Sequence, residues 1–89
     1  MFGSKDEKRY AQERLSKLRQ NKLAMAYAAL FRQDSMRVEI NEEGLKKMFY
    51  DGLKEDVKDE LYQKDQPDTL DEYIAMAIRI DERQYARRQ

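Results

Sequence analysis

The chain has 89 residues, 40% charged and 40% apolar, with 18 basic side chains against 18 acidic ones and no cysteine or histidine. That composition excludes disulfides, zinc knuckles, thiol nucleophiles and the usual neutral-pH proton shuttle. A chain of this size makes one domain, 1–89, that buries only about 60–65% of its unfolded surface, so its core is lean.

Ser4 followed by Glu7 has capping-box spacing and predicts a first helix over about 5–19. Its apolar seam is narrow: Ala11, Leu15 and Leu18, with Tyr10 at the edge. Gln20-Asn21-Lys22 breaks it. A second helix is predicted over 23–36. Leu23, Tyr27, Leu30 and Phe31 form one face, with Met25, Ala29 and Met36 opposite. A helix apolar nearly all round reads as buried, so this one is expected to be the central core helix. Met36, Val38 and Ile40 alternate with polar residues, too briefly for a sheet, and suggest an extended connector.

Asn41 can cap a third helix, 42–51, whose first-turn glutamates suit the positive end of the helix dipole. Leu45, Met48 and Phe49 form its inner face, and Tyr50 points away as a surplus aromatic. Gly52 then suits a Schellman-type cap, with Leu53 folding back over Met48. A short fourth helix, 54–62, buries Val57 and Leu61. Pro67 lies in the turn that follows, and Thr69 with Glu72 offers a second capping box for a fifth helix over 69–88. There Leu70, Tyr73, Ile74, Ala77, Ile78, Ile80 and Tyr85 share an arc of roughly 160°, which needs more than one helix to cover it. Asp81 falls near the middle of that arc, where an unpaired carboxylate would cost several kcal/mol. It therefore calls for donors: backbone N–H groups at a neighbouring helix start, a hydroxyl, or an arginine such as Arg32.

The fold class expected is all-α, a compact five-helix bundle. Its predicted core is Leu15, Leu18, Tyr27, Leu30, Phe31, Phe49, Leu53, Val57, Leu61, Leu70, Ile74, Ala77 and Ile78. Charge is unevenly spread: residues 1–22 carry seven basic and three acidic groups, residues 51–72 three and nine. Such a dipolar chain suits self-association better than broad nucleic-acid binding. Paired carboxylates at Asp56, Asp59 and Glu60 could in principle do acid–base work, but no glycine loop, histidine or apolar pocket is in sight to tune them. No catalytic, metal or cofactor site is predicted. The bland role of Arg79, Arg83, Arg87 and Arg88 is favourable charge at a helix C-terminus. No apolar run approaches the ~20 residues of a membrane span and no signal peptide is visible, so no membrane partner is expected and the chain reads as intracellular.

Six segments in order carry a family resemblance: Phe2 to Lys8, Leu18-Arg19-Gln20, Tyr27 to Arg32, Phe49 to Leu53, Thr69 to Tyr73, and Ala77 to Arg83. Together they resemble the C-terminal half of the Gag capsid of gypsy-type LTR retrotransposons, fungal in flavour, over essentially the whole chain. The resemblance implies a lobe similar to the retroviral capsid C-terminal domain and the C-lobe of the neuronal Arc protein. Such lobes dimerise and help tie a shell together, here a cytoplasmic virus-like particle. By analogy the dimer contact falls on the third helix, at Leu45, Lys46, Lys47, Met48 and Tyr50, with the first helix as the alternative. Gln20, Tyr27 and Phe31 resemble the retroviral major homology region, whose Gly and Glu are replaced here by Asn21 and Ala24. Asp81 and Arg83 match the family's terminal Ile-Asp-x-Arg, and with Gln20 and Arg32 form the expected structural polar network. The partner implied is the chain itself, with RNA bound only by other Gag regions and no small-molecule substrate. A host-retained adaptor and an RNA-binding domain using Lys5, Lys8, Arg9 and the C-terminal arginines are the alternatives.

Overall fold

The computed structural model of the chain describes residues 4–88, with side chains from residue 9 to residue 87. Among the described residues there are five α-helices and no strand: α1 (Ser4–Lys17), α2 (Ala24–Ser35), α3 (Glu42–Asp51), α4 (Glu55–Tyr62) and α5 (Leu70–Arg88). The chain is all-α. The capping box read at Ser4 and Glu7 falls on side chains outside those described, as do Lys5, Lys8 and Arg88.

Local chemistry sets several helix ends. Asn41 Oδ1 accepts from the Gly44 N–H at 2.8 Å and opens α3. Thr69 Oγ1 accepts from the Glu72 N–H at 3.2 Å and opens α5, while Glu42 Oε2 of α3 takes the neighbouring Leu70 N–H at 2.6 Å. Residues 36–41 form a turn and an extended connector.

Helix α5 packs against α2, α3 and α4, and α1 lies along α2. The centre of the core is Phe49, fully buried and ringed by aromatics. Its ring stacks on Tyr27 at 5.1 Å, meets Phe31 edge-on at 5.2 Å and Tyr73 at 6.1 Å. Such pairs add roughly 0.5–1.5 kcal/mol each beyond their buried area, so one residue of α3 joins α2 to α5. Leu15, Leu53, Val57, Leu61, Leu70, Ile74, Ala77 and Ile80 are buried around it, with Leu18 and Ile78 partly buried at its edge.

Three expectations are corrected. Helix α2 is not enclosed: Ala24, Tyr27, Ala28 and Phe31 face inward, but Leu30 is 48% exposed and Met25 55%, so Leu30 is not a core residue. Tyr85 is exposed beyond the end of the α5 stripe. Gly52 adopts φ −89° and ψ −5°, an ordinary right-handed conformation rather than a left-handed cap. What it supplies is space. A Cβ there would lie 2.6 Å from the Leu18 carbonyl oxygen and closer still to Tyr27 Oη.

Candidate functional site

The densest polar construction in the molecule is buried where the α1–α2 loop, the α3–α4 turn and α5 meet. It begins with a deficiency in α2. Leu23 occupies the N-cap position and has no side-chain oxygen to offer, so the first amides of the helix lack a local acceptor. Asp81 supplies one from α5. Its Oδ2 accepts from the Ala24 N–H at 2.8 Å, and its Oδ1 accepts from Gln20 Nε2 at 3.1 Å. The carboxylate is 7% exposed and sits on the positive end of the α2 dipole, where partly buried anions gain up to ~2 kcal/mol. Of the donors the sequence allows, a helix start and an amide hold it, not an arginine.

Gln20 extends the network the other way. Its Nε2 also donates to the Lys22 carbonyl at 3.0 Å, and its Oε1 accepts from the Lys54 N–H at 3.1 Å. Its own N–H donates to the Gly52 carbonyl at 2.7 Å. One side chain thereby caps the start of α4, orders the α1–α2 loop and orients Asp81. Close by, Tyr27 Oη donates to the Phe49 carbonyl at 2.9 Å in the space left by Gly52. Burial raises the Tyr27 pKa above the ordinary phenol value, with Asp51 adding to the rise and Arg19 opposing it.

The other two residues expected in this network lie elsewhere. Arg32 pairs with Asp71 at 2.8 Å on the surface. Arg83 pairs with Glu60, which also accepts from Gln84 Nε2. Both guanidiniums are about half exposed, and neither reaches Asp81. Two buried charges escaped the sequence reading. Asp34 is paired with Arg14 at 3.6 Å across α1 and α2. Lys46 donates from Nζ to the Pro67 and Asp68 carbonyls and pairs with Glu43, fastening α3 to the connector before α5. The signal for Lys46 lay in Glu43 one turn earlier; nothing local marked Asp34.

Lys46 is therefore unavailable to a dimer contact on α3, which corrects the surface expected there. Leu45 and Met48 are partly buried against the core and Lys47 alone of the five is exposed. Tyr50 folds inward, its hydroxyl donating to the Lys58 carbonyl at 3.4 Å and its ring lying under the Lys58 ammonium.

Nothing in this arrangement is set up for chemistry. A cleft of about 660 Å³ between α3 and α4 is lined by Tyr50, Leu61, Tyr62 and Tyr73 with Lys47 and Lys64. Burial raises the Tyr73 pKa, so its phenol stays protonated there. Glu60 is engaged by Arg83 and Gln84, and no group of acidic side chains able to hold a metal ion occurs among the described residues. No described helix is long and apolar enough to cross a membrane. The hub is a structural device, holding four parts of the chain in one register.

The family model described as the PEG10/RTL1 C-terminal capsid-like domain matches residues 11–84. That span runs from the α1 seam to the end of the polar hub and contains Gln20, Ala24, Tyr27, Gly52 and Asp81. No curated protein matches the chain. With the match covering most of its length, the chain belongs to the PEG10/RTL1 C-terminal capsid-like family, a Gag-derived group of structural domains.

Proposed function

We propose that this domain is a self-associating component of a Gag capsid of the gypsy-type LTR retrotransposon kind, fungal in origin, working inside the cell as part of a virus-like particle. Family membership carries the proposal, and the hub is consistent with it, because its buried polar groups are spent on holding helices rather than on a substrate. The partner is a second copy of the chain. The domain has no catalytic role and contributes protein–protein contacts, leaving RNA to other parts of Gag. A host-retained copy serving as an oligomerisation module would use the same contacts, and protease and reverse-transcriptase frames beside the gene distinguish the two.

Sedimentation equilibrium over a concentration series tests the proposal. Mass should rise with concentration and be indifferent to added RNA. A monomer throughout, with strongly salt-dependent RNA binding instead, overturns it.

A further inference from the structure

We infer that copies of this chain meet through the outward face of α2, not through α3; the inference rests on the self-association proposed above. Among the described residues seven large hydrophobic side chains are exposed, and four of them, Leu23, Met25, Leu30 and Met36, lie on or next to α2. They flank Ala26 and Ala29, which are exposed at the middle of the helix. In a chain that is 40% charged this face is uncharged. The two charges of α2 are both occupied, Arg32 by Asp71 and Asp34 by Arg14.

These features select a second copy as the occupant. In a two-fold contact each patch meets itself, so any charge near the axis would face its own like. A face without charge, on a chain of zero net charge, is self-complementary in that sense. The alanines let two helix backbones approach, with Met25 and Leu30 filling the space on either side. A crossing near Ala29, as in ridge-and-groove packing, swings the basic ends Lys22 and Arg37 apart. The area also fits a shell contact. The 12 residues of α2 are about 18 Å long, and a face about 10 Å wide offers on the order of 200–300 Å². A stable pair buries roughly 800 Å² per partner, so this contact is weak alone and gains from repetition in a lattice. By contrast α3 offers Lys47 and little exposed apolar surface.

The chain lacks cysteine, so single thiols report proximity cleanly. Ala29→Cys should form a disulfide-linked dimer on mild oxidation, because the two-fold axis brings the Cα atoms within about 7 Å. Lys47→Cys on α3 should not outpace it. In sedimentation, Met25→Ser with Leu30→Ser should weaken association by about tenfold or more, with circular dichroism showing helicity retained. If wild type and double variant associate alike, or Lys47→Cys cross-links faster, the α2 face is wrong while self-association stands. If the wild type stays monomeric to about 1 mM and Ala29→Cys forms no dimer, self-association falls as well, and the α2 face belongs to a different protein partner.

Discussion

Asp81→Ala would leave the Ala24 amide and Gln20 Nε2 buried without an acceptor. The cost should be about 1–3 kcal/mol, read as a lower urea midpoint. Asp81→Asn should cost less but not nothing. Its oxygen can still take the Ala24 N–H, while its NH2 would face the Gln20 amide, whose own oxygen is already committed to Lys54. Equal midpoints for all three proteins would mean the hub does not hold the fold. Arg32→Ala and Arg83→Ala are the contrast. Their pairs are exposed, and each should change stability by no more than about 0.5 kcal/mol. Gly52→Ala should destabilise by about 1–3 kcal/mol, since the methyl meets a backbone carbonyl as well as Tyr27 Oη. Adding Tyr27→Phe should relieve part of that cost, a non-additivity that a double-mutant cycle measures.

Tyr27 also ties helices to pH. Its phenol, like that of Tyr73, ionises less readily in the fold than in the unfolded chain, burial being the main cause. Above about pH 10 the unfolded state therefore sheds the proton first, and stability falls as pH rises further. Urea midpoints at about pH 8 and about pH 11 should show that fall, and Tyr27→Phe should shrink it. Among helix ends, Thr69→Ala should cost roughly 1 kcal/mol, because Glu42 still holds the Leu70 N–H but nothing replaces the hydroxyl at Glu72. The Asn41 and Thr69 caps were legible because both lie within three residues of the amides they serve. Helix α2 is the opposite case. Its acceptor comes from α5, and local pattern can show that Asp81 needs donors without saying where they are. At the position where the retroviral pattern has Glu, Ala24 offers only its amide.

For the whole molecule, the helices and most of the core follow from apolar spacing, since a residue such as Phe49 or Ile74 has no other place to go. The exposed side of α2 does not follow from spacing. An all-round apolar helix reads alike whether its outer face is covered by its own fold or left open, and only the placement of α1, α3 and α5 shows that Leu30 and Met25 stay outside. The α3 surface expected by analogy failed for a related reason. Lys46 and Tyr50 are long enough to turn back onto Pro67 and Lys58.

The α2 start and its acceptor are 57 residues apart in sequence. At about 5–20 residues per second, a ribosome delivers Ala24 roughly 3–11 s before Asp81. Through that interval the first turn of α2 is frayed, and the surface it presents to neighbouring nascent chains is not yet the one the fold fixes. Competence to join a shell is thus gated by translation itself, arriving only once Asp81 has been made.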